Sequence, residues 1–319
     1  MPEKLLQIRS LRTYYFSRKN VIKAVDNVDL EVFRGEVVGL VGESGSGKST
    51  LGLSIIRLIP PPGRIVGGEI ILDREDILKL PDKDLRKIRG KRIGMIFQDP
   101  LTCLDPLRKI KDQIVETITT HLKVGEKEAV EIAIRTLERV GISSDRIDDY
   151  PHQLSGGMRQ RVMIAMSMVL NPDLLIADEP TTALDVIVQS RIMDLLEDLR
   201  VEKKMSILLI THDLTLVIER SDRVVVMYAG KICEVGKVTE IAEEPLHPYT
   251  KLLLQSIPDI EKTSIELKPI PGSPPDMRNP PLGCRFWPRC PFVLEKCKVI
   301  EPRVLNLGER SVACHLYVV

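Results

Sequence analysis

Aromatic residues are scarce in this 319-residue chain, 4% of the total with a single tryptophan. Long apolar runs are missing too: none approaches the roughly eighteen residues of a membrane-crossing helix. Net charge is almost absent, with 46 Lys and Arg against 45 Asp and Glu. A chain so balanced has no global field to attract nucleic acid or an anionic membrane. Even its locally basic stretch, residues 82–92, reads as a solvated face. The opening Met-Pro-Glu-Lys-Leu-Leu lacks the apolar stretch and cleavage site of a secretory signal. These absences predict a soluble, intracellular protein that meets a membrane only through partners. Six cysteines in such a protein argue against a disulfide framework. Cys103 and Cys233 stand alone, whereas the other four are gathered between Cys284 and Cys314.

Hydrophobic periodicity divides what remains. Residues 4–11 and 21–33 read as strands, the second through Val25, Val28, Leu30 and Val32. Further strands are expected near 65–72 and 92–97. From about 108 to 170 the pattern is helical. Val130, Ala133, Ile134, Leu137 and Val140 recur at helical spacing, and Gly141 supplies a stop. Residues 173–177 and 206–210 are continuous apolar runs, as expected of parallel strands covered on both faces. Two short strands, 223–228 and 231–235, meet at Ala229-Gly230. Beyond about residue 256 the composition changes. Pro269, Pro271, Pro274, Pro275, Pro280 and Pro281 exclude regular structure and mark an extended connector before the cysteines. The fold class is therefore α/β, with a helical insertion and an irregular cysteine-rich extension.

The most specific signal is Gly-Glu-Ser-Gly-Ser-Gly-Lys-Ser at 42–49, which fits G-x-x-x-x-G-K-[ST] between an apolar strand and a helix. Gly42, Glu43, Ser44, Gly45, Ser46, Gly47, Lys48, Ser49 and Thr50 are thus candidates to hold a nucleotide. Glycines turn backbone N–H groups inward on the phosphates and the helix N-terminus adds its positive end. Lys48 would neutralise the β- and γ-phosphates, and Ser49 would offer its hydroxyl to Mg²⁺. The run 173–177 ends in Asp178-Glu179. At the tip of a parallel strand beside such a loop, Asp178 would help hold Mg²⁺, and Glu179 would take a proton from the water attacking the γ-phosphate. Ser155 is a good N-cap for the helix after it. Gly156 and Gly157 are poor choices for a helix, each costing about 1 kcal/mol against alanine. They make sense where a phosphate must approach the backbone closely.

Taken together, the phosphate loop, Gln98, Leu-Ser-Gly-Gly-Met at 154–158, Leu-Leu-Ile-Ala-Asp-Glu-Pro at 174–180, the turn at Thr182–Asp185 and His212 resemble the ATP-binding cassette (ABC) ATPases in order and spacing. The resemblance covers residues 1–255. It implies a phosphate-loop NTPase with a RecA-like core, an antiparallel β subdomain and a helical subdomain at about 100–170. It further implies a head-to-tail dimer, in which ATP on one subunit's loop is closed over by Ser155, Gly156 and Gly157 of the other. Gln98 would then sense Mg²⁺ and the attacking water, His212 would contact the γ-phosphate, and Asp185 would lie at the dimer seam. Family members stack the adenine on an aromatic ahead of the second strand, which points to Tyr15, with Tyr14 as the alternative.

Phe97–Pro106 resembles the segment of peptide-importer ATPases that meets the membrane subunits, with Cys103 where serine is usual and Asp105 where asparagine is common. Thr182 stands where many members have serine. His247-Pro-Tyr-Thr250 and the cysteine-bearing tail at 256–319 also resemble the oligopeptide, dipeptide and nickel import group. The resemblance implies a peripheral subunit on the cytoplasmic face of the membrane. Its partners would be a second ATPase subunit, identical or related, two membrane permease subunits and an extracytoplasmic peptide-binding protein, with no nucleic acid. Four thiolates at Cys284, Cys290, Cys297 and Cys314 suit zinc or an iron–sulfur cluster. Their wide, uneven spacing favours a [4Fe–4S] cube, which relatives carry; Zn²⁺, four buried small residues and a labile thiol set are the alternatives. A nickel or other solute importer is a second reading of the same motor. A non-transport cassette would want a coiled-coil insertion, a second cassette or a basic arm, and none is present. Intact Lys48, Asp178, Glu179 and His212 oppose a vestigial ATPase.

Overall fold

The computed structural model describes residues 3–182, 184–256 and 270–317. In its first third the strands are β1 (Lys4–Phe16), β2 (Val21–Phe33), β3 (Val37–Val41), β4 (Gly63–Leu72), β5 (Glu75–Asp76) and β6 (Ile93–Ile96). After a helical stretch come β7 (Leu174–Asp178), β8 (Ser206–Thr211), β9 (Arg223–Tyr228), β10 (Lys231–Lys237), β11 (Leu305–Leu307) and β12 (Arg310–Val312). The chain folds as two interleaved compact units. One comprises Met1–Leu5, Phe33–Gly35 and Lys79–Leu208; the other comprises Leu6–Val32, Glu36–Leu78 and Leu209–Val319. The division falls inside β8.

The second unit holds an antiparallel sheet in the order β2-β1-β4-β5, with β1 running against β4 from Leu6 opposite Leu72 to Tyr15 opposite Gly63. In β2 the inward residues Val25 and Val28 are three apart, which breaks the period of two expected of a strand. Asn27, at φ 58, absorbs the extra residue, so Val25, Val28, Leu30 and Val32 all remain buried. A second row in this unit runs β11-β12-β10-β9-β3. β3 and β9 pair in parallel, and β9 turns into β10 through Ala229 and Gly230, both at positive φ, a tight hairpin as expected there. Gly39 lets the helix Leu214–Arg220 settle on β3, since a Cβ at that position would lie 2.2 Å from Val217 Cγ1.

In the first unit β6 and β7 pair in parallel, Ile93 opposite Leu174 through Ile96 opposite Ala177. The helices Ile110–His121, Glu126–Arg139 and Gly156–Met168 form the expected helical region. The stripe of Glu126–Arg139 is centred on Ala129, Ala133 and Leu137, each fully buried, while Val130 and Ile134 are only half-buried. Small alanines allow the closest approach, which a count of large apolar residues does not register. Gly141, at φ 73, ends the helix as expected.

The tail departs from its expected irregularity. Residues 270–286 lack helix and strand, but a 3₁₀ turn (Trp287–Arg289), a helix (Glu295–Val299) and the hairpin β11–β12 follow. β12 pairs antiparallel with β10, Glu234 opposite Val312. Strands of three residues are too short to leave a periodic signal, and the edge of β10 supplies the pairing that their sequence does not announce. The connector residues 257–269, with Pro269, lie outside the described residues.

Candidate nucleotide site

Within the second unit, β3 is wholly buried, and the chain leaves it through Gly42 to enter a helix at Lys48 (Lys48–Ile55). Gly42 and Gly47 have φ of 153 and 105. A Cβ at either would fall about 2 Å from a carbonyl oxygen, Met227 in the first case and Ala24 in the second. Only glycine fits, by conformation and by space. Lys48 is buried, and its ammonium donates to the carbonyls of Gly42 at 2.6 Å and Glu43 at 3.1 Å, so the side chain lies back across the loop. The Ser46 hydroxyl is buried and has no hydrogen-bond partner among the described residues. Ser44 and Gly45 are exposed, and Ser49 and Thr50 half-buried in the first helical turn. The Tyr15 hydroxyl lies 3.5 Å from Thr50 Oγ1. Tyr14 is otherwise engaged: it donates to Asp26 at 2.6 Å, and burial together with that bond pushes its phenol up to about 12. His212 is exposed at the end of β8, just ahead of Asp213, which caps the helix Leu214–Arg220 through the N–H groups of Thr215 and Leu216.

Within the first unit, Asp178 is the last residue of β7 and is buried. Glu179 follows at φ 49, the left-handed region that costs a non-glycine residue about 1 kcal/mol or more and clusters at functional sites. Its carboxylate accepts from Thr182 Oγ1 at 3.1 Å. Gln98 is exposed just beyond β6. Ser155 caps the helix Gly156–Met168 by accepting from the Met158 N–H at 3.3 Å. Asp185 likewise caps the helix Val186–Lys203, accepting from the Val188 N–H at 2.9 Å, a role the sequence reading did not assign.

What the sequence reading missed is the company the phosphate loop keeps. The Glu43 N–H donates to the Tyr249 hydroxyl at 2.9 Å, and the Glu43 carboxylate receives a two-pronged ion pair from Arg289, at 2.6 and 3.0 Å. Tyr228, Tyr249 and Phe286 pack ring on ring with centroids 4.6–5.3 Å apart. Arg285 donates to the Ala229 carbonyl and pairs with Asp26. Pro274, Pro275 and Met277 line a cavity of about 140 Å³ with Glu43, Ser44, Gly45 and Ser46. The proline-rich stretch is therefore no free connector where it is described, because part of it borders the phosphate loop.

Behind these contacts sits His247. Buried Glu234 accepts the N–H groups of Leu246 and His247, both at 2.8 Å, and the His247 Nδ1 accepts from the Tyr249 N–H at 3.0 Å. Burial holds the imidazole down at about 3. The unfolded chain binds this proton below about pH 6.5 and the folded chain does not. The stability is then complete above pH 6.5 and is lost as pH falls toward 3. Between pH 7 and pH 5 the loss is about 2 kcal/mol. His247→Asn keeps an acceptor for the Tyr249 N–H and removes the titration. Its stability in urea is expected to fall by about 2 kcal/mol less than that of the parent protein over this interval. Equal losses would show that this histidine is not the source.

The four tail cysteines are near neighbours electrically. Burial pushes the Cys284 thiol up to about 12, and charge on Cys297, Cys314 and Cys290 adds to it. Cys290 and Cys314 are raised too, mainly by burial. Backbone hydrogen bonds run to the sulfurs of Cys284, Cys290 and Cys314 from Phe286, Phe292 and Leu316, and the Leu294 N–H donates to Cys297 Sγ at 3.4 Å. Among the described residues, however, no group of three or more His, Cys, Asp or Glu is placed to hold a metal ion. The expected zinc or iron–sulfur site is to that extent unsupported.

A buried parallel strand, a glycine-pinned loop and a helix opening on a lysine and a serine define a phosphate-loop nucleotide-binding protein. The profile of the ABC transporter family matches residues 25–182, and that of the oligopeptide/dipeptide transporter C-terminal region matches residues 233–297. The oligopeptide transport ATP-binding protein AppD of Bacillus subtilis is 48% identical over 98% of this chain and 97% of its own length. The dipeptide transport ATP-binding protein DppD of Haemophilus influenzae is 46% identical over 98% of this chain and 95% of its own. Among solved structures, the dimeric, post-hydrolysis ATP-binding cassette MJ0796 bound to ADP and Pi superposes with a TM-score of 0.67, at 30% identity, over 73% of this chain and 98% of that one. The chain belongs to the ABC transporter family of ATPases. No helix among its described residues is long and apolar enough to cross a membrane.

Proposed function

We propose that this chain is the ATP-hydrolysing subunit that powers import of di- and oligopeptides. The observation that carries this reading is the 46–48% identity with peptide-transport ATP-binding proteins over nearly the whole chain, the C-terminal region included. On this reading residues 1–255 are the catalytic cassette, with its helical subdomain at about 100–170, and 256–319 form the C-terminal region of peptide transporters. The cassette pairs head to tail with a second ATPase subunit, identical or related. It works as a peripheral protein on the cytoplasmic face of two membrane permeases fed by an extracytoplasmic peptide-binding protein. Leu101, inside the Phe97–Pro106 segment, and Leu107, just after it, are 60% and 85% exposed and suited to meet such a permease.

In the proposed reaction Lys48 and the loop N–H groups bind the β- and γ-phosphates, and the unpartnered Ser46 hydroxyl gains an acceptor in a phosphate oxygen. Mg²⁺, when bound, would neutralise phosphate charge; Ser49, Gln98 and Asp178 would hold it. Glu179 accepts the proton of the attacking water as its oxygen bonds to the γ-phosphorus and the bond to ADP breaks. His212 steadies the γ-phosphate, Tyr15 stacks on the adenine, and Ser155, Gly156 and Gly157 of the opposite subunit close the site, with Asp185 at the seam. Losing the γ-phosphate removes contacts that joined the subunits and shifts the pair toward its open state. The test is ATPase activity of the chain purified with its permeases. Peptide-loaded binding protein is expected to stimulate it, and stimulation by nickel or sugar carriers alone would transfer the motor to another cargo.

For Cys284, Cys290, Cys297 and Cys314 we propose a [4Fe–4S] cluster, with Zn²⁺ as the alternative. Two features support it: sulfurs near enough that Cys284, Cys290 and Cys314 each feel charge on other members of the set, and a backbone hydrogen bond to each sulfur, which stabilises a thiolate. Four sulfurs bound at separate iron corners need not converge as the ligands of one ion do. When bound, the group would clasp the segment and neutralise the thiolates. Anaerobically purified protein is expected to contain iron and acid-labile sulfide in equal amounts. Zinc without sulfide would overturn the assignment.

A further inference from the structure

A carboxylate is an odd guest in a loop built for polyphosphate. Glu43 follows the first glycine of that loop, and its negative charge opposes any nucleotide bound there. The fold answers with Arg289, from more than two hundred positions along the chain. The Arg289 side chain is 4% exposed. Both of its terminal nitrogens donate to Glu43, one also to the Tyr228 hydroxyl at 3.2 Å and the other to the Ile270 carbonyl at 3.3 Å. Its Nε donates to the Pro271 carbonyl at 2.7 Å. One guanidinium thus ties the phosphate loop to the proline-rich segment that borders it. Glu43 is held at three points: its N–H by Tyr249, its carbonyl by Lys48 and its carboxylate by Arg289.

We propose that Arg289 is a positioning residue for ATP binding, which cancels the Glu43 charge and fixes the opening of the phosphate loop. The inference rests on the reading that residues 42–50 hold the phosphates. It makes the C-terminal region part of the nucleotide site and gives that region a way to set nucleotide affinity. A folded tail supplies the counter-charge; a displaced tail leaves a carboxylate facing the triphosphate.

The experiment compares Arg289→Met, Arg289→Lys, Glu43→Gln and the Arg289→Met/Glu43→Gln pair in the full-length chain, by ATP KM, kcat and melting temperature over a salt series. Arg289→Met is expected to raise KM about tenfold, the scale of one partly solvated, uncompensated charge across a loop, with kcat falling far less. Added salt should shrink the defect. The double variant, with no carboxylate left to uncover, should return KM to within about threefold of the parent value. Arg289→Lys, which keeps the charge and loses the fork, should fall between. A double variant as impaired as Arg289→Met would reduce Arg289 to scaffolding and overturn the proposal, as would an unchanged KM in Arg289→Met. Should Arg289→Met fail to fold, the double variant and Arg289→Lys carry the comparison. Lys48→Ala is the separate control: ATP binding that survives it sinks the phosphate-loop reading itself.

Discussion

Replacing Glu179 with glutamine is expected to slow ATP turnover at least about a hundredfold while leaving the fold unchanged. Glutamine has the same shape, and its carbonyl can still accept from Thr182 Oγ1, the contact now made at 3.1 Å. What it cannot do is take a proton from water. The backbone at this position supports a chemical rather than a structural role, for φ 49 is an unfavourable place for a side chain that serves only to end a strand. A glycine would relieve that strain and an asparagine would tolerate it better, yet a glutamate stands there. With cleavage stopped and binding intact, ATP should hold two cassettes together. Size-exclusion chromatography in ATP and Mg²⁺ would then find a dimer that the parent protein does not accumulate. Normal turnover by the variant, or no dimer either alone or with its companion ATPase, would remove Glu179 from the role of base.

The contrast between cassette and tail shows what a sequence makes legible. β3, β7 and β8 were readable because a strand covered on both faces must be apolar throughout, and each is buried end to end. The phosphate loop was readable because its steric demands, met at Gly42 and Gly47, allow one residue type. The Glu43–Arg289 pair was not readable, since its members are far apart in sequence and neither belongs to a periodic pattern. Arg289 looks like any surface arginine between a proline and a cysteine until the fold buries it. His247-Pro-Tyr was visible as a motif and opaque as physics. Its purpose shows only when Glu234 is seen gripping its N–H groups and Tyr249 is seen reaching the loop. The short strands β11 and β12 were illegible for another reason: their pairing is decided by the edge of β10 and not by their own three residues.

The second large effect should appear at Gly156 and Gly157, where stability and activity are expected to move in opposite directions. Both lie in the first turn of the helix Gly156–Met168, and neither is at positive φ. A Cβ at Gly156 would meet nothing within 4 Å, and one at Gly157 only Val188 Cγ1 at 3.5 Å, an ordinary contact. Among the described residues nothing therefore calls for glycine here. Alanine at both positions should stabilise the helix by about 1 kcal/mol each and raise the melting temperature. The proposed source of a demand for glycine is the triphosphate on the facing cassette, which needs bare backbone N–H groups. A methyl group that holds it off by about 1 Å should cost turnover about a hundredfold. A variant that melts higher and no longer hydrolyses ATP, while still binding nucleotide on its own loop, is the expected outcome. Full turnover in that variant would leave the two glycines without a function and remove the facing cassette from the site.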